Sequence, residues 1–597
     1  MGTLRALWPY ARPYRGGIAL GLGLVVASNT LTVATPYFLK LGIDALEGGA
    51  SVRTLAMYAG AIVGITLLGG AARFGMRRLL NGISRRIECD LRDDFFAHLL
   101  RLSPEFYART HTGEIVSRAT NDIGAVRQVA GPAIMYLVNT VVVGTMALAL
   151  MIWLDPRLTG IALVPLVLLP PTMFYFGREI HDRFEAIQAQ FGRLSTMVQE
   201  NLAGIRIVKA YRQEASQEAQ FEELNRDYLD KNFALARNWG FFHPTLTFLA
   251  GLGMVAVVWF GGRAVMSGRM TVGDFVAFGF YLVQMNWPLI ALGWVINLFQ
   301  RGSASMGRIL EVLRTEPAIQ DPPDPPPLPE ARGSIELRKV SFRYPGTERW
   351  VLRDIDLRIP AGRTVAIVGA TGSGKTTLVR LIPRLYDATE GQVLVDGVDV
   401  RAVRVEELRR RVSVVPQEPF LFSETLEWNL AFALHDAPEP EQVRWAAEVA
   451  QLAETIEQDF PRGYATELGE RGINLSGGQK QRATLARAVA RNAPILILDD
   501  ALSSVDTHTE REILERLRPV WAGRTSVIVS HRVTAVMNAD HIVVLEEGRV
   551  AEEGRHAELL RRGGVYATLL RRQILEDSLL DPLEQEARRE VGEPARE

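Results

Sequence analysis

A single cysteine, Cys89, stands among 597 residues, so no intrachain disulfide can form. Lysine is nearly as scarce, confined to positions 40, 209, 231, 339, 375 and 480, and every other basic residue is arginine. An excess of either charge is missing too: 67 Lys and Arg face 68 Asp and Glu, leaving a net charge of -1 and a pI near 6.8. That balance gives no electrostatic reason to expect a nucleic-acid partner. Arg5, Arg12 and Arg15 precede a long apolar span with no small-residue cleavage site, so a cleaved signal peptide is not expected. What the chain does have is 48% hydrophobic residues beside 23% charged ones. In a chain too long for one core, that mixture implies two or three domains of unlike composition.

Six apolar spans occupy the first half, roughly Gly17 to Ile43, Leu55 to Met76, Ala133 to Leu154, Leu158 to Gly177, Phe241 to Phe260 and Val272 to Leu298. Each has about the twenty residues a helix needs to cross hydrocarbon. Pro36, Pro165, Pro170, Pro171 and Pro288 fall inside them, and membrane helices tolerate such breakers where neighbouring helices satisfy the freed backbone. The connections after the first, third and fifth spans hold only Arg53, Arg157, and Arg263 with Arg269, whereas Arg77 to Gly131 and Arg178 to Gly240 are rich in arginine. The positive-inside bias then places the amino terminus and both long connections in the cytoplasm. Those connections read as helices that continue the spans and double back at turns, one near His111 to Asn121 and one near Asn201 to Tyr211.

Between Glu316 and Gly333, prolines at 317, 322, 323, 325, 326, 327 and 329 favour an extended spacer. Beyond it strand-like and helical runs alternate, as in an α/β domain. The expected architecture is a membrane all-α domain of six helices over 1–313, a linker over 314–333, a P-loop α/β domain over 334–573, and a helical tail over 574–597. Residues 369 to 376 read GATGSGKT after the apolar strand Thr364 to Val368. In that context Gly369, Ala370, Thr371, Gly372, Ser373 and Gly374 let backbone amides wrap phosphates, with Thr377 next in the helix that follows. Lys375 reaches the terminal phosphates and the Thr376 hydroxyl binds magnesium. The strand ILILDD, Ile495 to Asp500, supplies Asp499 to the magnesium shell.

The pentapeptide LSGGQ, formed by Leu475, Ser476, Gly477, Gly478 and Gln479, precedes that strand. With it the chain resembles the ATP-binding cassette (ABC) transporters over nearly its whole length, and specifically the long-helix exporters that place membrane domain before nucleotide domain on one chain. The resemblance implies ATP and Mg2+ as ligands. It makes Tyr344, in VSFRYP, the aromatic that stacks on adenine, and Gln417, in VVPQEP, a glutamine that touches magnesium and senses the membrane domain. It makes TELGERG, Thr466 to Gly472, the loop set against the cytoplasmic turns. Ser503, Ser504 and Asp506 become the loop that speaks across a dimer interface, and His531, in VIVSHR, the switch histidine on the γ-phosphate. Small residues opening a helix also suit an anion; in this family the signature segment binds ATP held by the opposite subunit. One chain would then be half of a transporter in the cell's inner membrane, with a second half-transporter as partner.

One letter is missing. Where the family's active members carry a glutamate that polarises the attacking water, this chain has Asp500. Its carboxylate sits one methylene short, by about 1 Å, and misplacement on that scale can lower a rate on the order of 10²-fold. With the signature segment intact, the favoured expectation is a heterodimeric exporter whose degenerate site lies on this chain and whose partner carries the glutamate. The alternatives are a homodimer in which Asp500 suffices as general base, and an ATP-gated channel or receptor. Asn29, Asn139, His243, Gln284, Asn286, Trp287, Trp294 and Asn297 are candidates for a cavity that takes amphipathic drugs, lipids or peptides, with helix-to-helix hydrogen bonding as the other reading. Apolar residues near helical spacing from Val565 to Leu583 predict a tail helix that packs on the partner, with a frayed tail as the alternative.

Overall fold

The computed structural model describes residues 2–434, 439–533 and 536–575. The chain forms two compact units: one holds the chain up to Leu100 and from His111 to Thr315, the other Arg101–Thr110 and the chain from Glu316 onward.

In the first unit, helix α1 spans Arg15–Glu47 and α2 spans Val52–Arg101. After the short α3, Pro104–Arg109, come α4 over Thr112–Leu154 and α5 over Pro156–Ala203. The short α6, Ile205–Ala210, leads into α7 over Glu214–Met266, and α8 covers Val272–Leu313. The six long helices are all long and apolar enough to cross a membrane. At 1.5 Å per residue the 50-residue α2 is about 75 Å long against about 30 Å of hydrocarbon. More than half of it therefore lies outside the bilayer, which is why its second half carries the charges. The connections at the other ends are tight because their caps are local. Asp155 Oδ1 accepts from the amides of Arg157 and Leu158 at 2.8 and 3.0 Å, and Thr271 forms a reciprocal capping box with Asp274.

The core of this unit packs Met151, Leu166, Leu169, Phe278, Tyr281 and Leu282 out of solvent. A Cβ at Gly302 of α8 would fall 2.1 Å from Val129 Cγ2, so α4 and α8 approach at a distance only glycine allows. Lower on the same pair, buried Asp122 accepts from Ser305 Oγ at 2.8 Å and from Arg308 Nε at 2.9 Å. The first turn of the long connections differs from the sequence expectation. It lies at 102–111 around α3, and His111 to Asn121 instead starts the returning helix α4. Pro104 clashes with a helical conformation at Ser103, which is extended at φ -75° and ψ 157°, so α2 must stop there; Gly113 breaks nothing. The second turn falls where expected, with Gly204 donating to Glu200 O at 2.8 Å between α5 and α6.

No helix or strand interrupts the proline-rich stretch between Leu313 and Ile335. The second unit then builds two sheets. Strands β1 (Ile335–Phe342), β2 (Leu352–Ile359), β4 (Glu390–Val395) and β5 (Val398–Asp399) form an antiparallel sheet in the order β2-β1-β4-β5. The other sheet runs β10-β9-β3-β8-β7-β6, from β3 (Thr364–Val368), β6 (Val412–Val415), β7 (Ile495–Asp499), β8 (Thr525–Val529), β9 (His541–Glu546) and β10 (Arg549–Gly554). Its strands β9, β3, β8, β7 and β6 are parallel; the central β3, β8 and β7 are buried on both faces, and β3 and β7 read as nearly continuous apolar runs. One apolar core fills the space between the sheets and a second lies beneath helices on the far face. Because β3, β8 and β7 are parallel neighbours, the segments leaving their carboxyl ends converge, the usual place for a ligand in such sheets. Residues 565–575 are helical, and the rest of the expected tail helix to Leu583 lies outside the described residues.

Candidate functional site

The loop after β3 is shaped by two glycines. Gly369 has φ 155°, and a Cβ there would sit 2.2 Å from Leu545 O; Gly374 has φ 102°, and its Cβ would meet Leu352 Cδ2 at 2.8 Å. Between them the chain folds around an ammonium: Lys375 Nζ donates to Gly369 O at 2.8 Å and Ala370 O at 2.9 Å. Burial lowers the lysine's pKa, while Asp500 and Asp499 pull it back up. The Ser373 hydroxyl is buried with no partner. A half-buried cation near two carboxylates, beside an unsatisfied hydroxyl, is arranged to receive an anion.

Thr376, the second residue of helix α9 (Lys375–Leu381), donates from Oγ1 to Asp499 Oδ1 at 3.0 Å. Burial raises the Asp499 pKa, the Thr376 hydrogen bond lowers it, and neighbouring Asp500 raises it further. Gln417, just past β6, lines the same cleft with Thr371, Gly372, Gly374, Thr377, Asp500 and His531. Hydroxyl, carboxylate and amide oxygens are the hard donors magnesium takes, with its other positions left to phosphate oxygens and water. The side chains present thus fit Mg2+ held by Thr376, Asp499 and Gln417.

Asp500 follows β7 in a left-handed conformation at φ 50°, and its amide donates to Val529 O at 2.9 Å. Its carboxylate oxygens lie 2.9 and 3.1 Å from Nδ1 of His531, which follows β8. Both acceptor oxygens are thus directed at the histidine.

Other expected residues stand outside this cleft. The Tyr344 hydroxyl pairs with Thr377 Oγ1 at 3.0 Å, and its ring packs edge-on against Phe342 and Tyr386, at 5.0 and 5.4 Å between centroids. It therefore borders the phosphate loop from outside the cleft walls. Helix α10, Gly477–Ala490, starts at Ser476, whose Oγ accepts from Gln479 N at 3.3 Å while Gln479 Oε1 accepts from Ser476 N at 2.9 Å. Leu475 is buried beneath it, Gly477 and Gly478 pack on Ser504, and Ser476 faces solvent. Asp506 caps helix α11, Thr507–Trp521, through Thr509 N at 2.9 Å, which holds its carboxyl below the ordinary value. No residue of the signature segment lines the cleft of its own chain. In TELGERG, Thr466 and Leu468 join the Glu424–Leu426 segment by backbone bonds of 2.9 and 3.0 Å.

Two connectors escaped the sequence reading. Gln481, buried on the signature helix, donates to Ser503 Oγ and accepts from Ser504 N, both at 2.8 Å. Arg487 donates to Asn429 O at 2.8 Å and Phe420 O at 2.9 Å, tying that helix to the segment after Gln417; burial pushes its pKa down to about 10. The only signal for Gln481 was its place just past LSGGQ, and for Arg487 an arginine on an otherwise apolar helix face.

Comparison with known proteins agrees with this geometry. Residues 18–289 match the family described as ABC transporter transmembrane region, and residues 352–503 match ABC transporter. The chain is 36% identical over 576 residues to the multidrug resistance-like ATP-binding protein MdlA of Escherichia coli K12, covering 96% of this chain and 97% of that one. It is 35% identical over 581 residues to an ATP-dependent lipid A-core flippase of Syntrophus aciditrophicus, covering 97% and 96%. Among solved structures, a bacterial Atm1-family ABC exporter with ATP bound superposes with a TM-score of 0.77 at 30% identity, over 94% of this chain and 98% of that one.

Proposed function

The chain belongs to the ABC transporters, as a half-transporter with an exporter's membrane domain and an ABC ATPase domain, and from that premise we propose that it is the subunit of a heterodimeric exporter that carries the degenerate ATP site. Asp500 is the observation that supports this most directly. An aspartate at this position leaves its carboxylate about one bond short of where a glutamate's would act, and both its oxygens already face His531 Nδ1. Lys375 and the loop amides hold the nucleotide's phosphates, and Thr376, Asp499 and Gln417 hold Mg2+, which when bound neutralises charge developing on the phosphate oxygens. His531 engages the terminal phosphate, and Asp500 orients water poorly. Ser476 and the amides opening α10 face solvent rather than their own cleft, so they are free to complete a cleft on another chain. Export of an amphipathic solute proceeds by alternating access, with the amino terminus and ATPase domain in the cytoplasm, as the arginine-rich long connections favour.

Affinity purification of the tagged chain from its own membranes tests the pairing. The expected companion is a second half-transporter of different sequence with glutamate at the position matching Asp500. Recovery of this chain alone as a homodimer with robust ATP turnover contradicts the reading. Ion conductance without solute flux would favour the channel.

A further inference from the structure

Four helices of the membrane unit, α1, α2, α4 and α8, enclose a cavity of about 400 Å³, within the range of small-molecule sites. Its wall holds two guanidiniums, Arg73 and Arg77, and no carboxylate. The two arginines are four residues apart on α2 and so share a face. Arg73 Nη2 donates to Thr32 Oγ1 of α1 at 2.9 Å, which turns it toward the neighbouring helix. Among the described residues neither has an acidic partner. Arginines further along the same region do have an acidic partner: Arg85, Arg92 and Arg127 all converge on Glu88 at 3.0, 3.0 and 3.3 Å. A topology signal alone would leave Arg73 and Arg77 snorkelling to headgroups, not lining a cavity.

A second observation points the same way. Asn29, 4% exposed, lines this cavity and leaves its Nδ2 donor without a partner, although buried donors are almost always satisfied. The lining also holds the apolar side chains of Met76, Met135 and Trp287. Gln284 Oε1, an acceptor, is also unfilled in this lining, but two forked cations and the Asn29 donor outnumber it, and with the apolar side chains they match a ligand with a phosphate, carboxylate or sulfonate head and a hydrophobic body.

We propose that this cavity selects anionic amphiphiles, with Arg73 and Arg77 holding the anionic head. This deepens the exporter reading and rests on it for the ligand's being cargo, but binding in one chain depends neither on the partner's identity nor on ATP turnover. The test titrates the purified full chain, in nanodiscs of zwitterionic lipid, with octyl phosphate and with octyltrimethylammonium as a cation of matched tail. Octyl phosphate is expected to bind and to weaken at least tenfold in Arg73→Gln/Arg77→Gln, while the cation binds no better than tenfold weaker in the wild type. Equal affinity for both amphiphiles, or an unchanged octyl phosphate affinity in the double variant, overturns the proposal. Should the double variant fail to fold, Arg77→Gln, which removes no intramolecular hydrogen bond seen here, carries the same reading with a smaller loss. Replacing part of the bilayer by phosphatidylglycerol separates the sources of the anion: competition assigns the head to a bilayer lipid, and no competition assigns it to a soluble solute.

Discussion

Asp499 shows what an active position costs the fold that holds it. The residue is 4% exposed and burial raises its pKa, so its charge is disfavoured in the folded chain relative to the unfolded one. The penalty is fully present above the raised native-state pKa and vanishes below the unfolded value, so it shrinks as pH falls. Asp499→Asn should therefore raise the melting temperature of the nucleotide-free chain at neutral pH. The same variant should lose the stabilisation that Mg2+ and ATP give the parent. A thermal shift series against pH, with and without Mg-ATP, checks both, and a lower melting temperature at neutral pH would count against the account. At this scale the sequence was most legible where a motif's letters are its chemistry, as in Lys375, Thr376 and Asp499. It was least legible for the packing of Tyr344, whose partners Thr377 and Tyr386 lie in a later segment, although Phe342 shares its VSFRYP motif. Arg73 was likewise hidden, because only the packing of α1, α4 and α8 around α2 makes it line a cavity.

Elements were read by different rules and failed for different reasons. The parallel strands β3 and β7 announced themselves as apolar runs, since helices and a second sheet cover both their faces. The first turn of the long connections falls at 102–111 rather than at His111 to Asn121, because Pro104 stops α2 while the TGEIVSR segment continues as helix. Between elements, Arg487 ties the signature helix to the carbonyls of Phe420 and Asn429. Arg487→Met keeps much of the apolar stem and leaves the buried Asn429 acceptor unmet, at a cost of about 1–3 kcal/mol, while the Phe420 carbonyl is left to solvent. Amide hydrogen exchange over residues 420–432 should speed up markedly in that variant while the strands stay protected. Unchanged exchange there would mean the segment is held by Phe422, Trp428 and Phe432 packing alone.

On the scale of the whole molecule, the division into a six-helix membrane unit and a two-sheet ATPase unit follows from composition: long apolar spans in the first half, alternating short strands and helices in the second. What one chain's sequence or structure holds is still half a machine. The phosphate cleft collects Lys375, Thr376, Gln417, Asp499, Asp500 and His531, while Ser476 caps its helix in solvent. On the proposed reading a complete site needs two chains, with Asp500 setting how they differ. The direct test is the ATP turnover of the purified, membrane-reconstituted chain compared with its Asp500→Glu variant at saturating Mg-ATP. The account predicts slow turnover by the wild type and a rise of at least about tenfold with glutamate, since a carboxylate displaced by about 1 Å can forfeit on the order of 10²-fold. Robust turnover by the wild type, with no gain from glutamate, would contradict it.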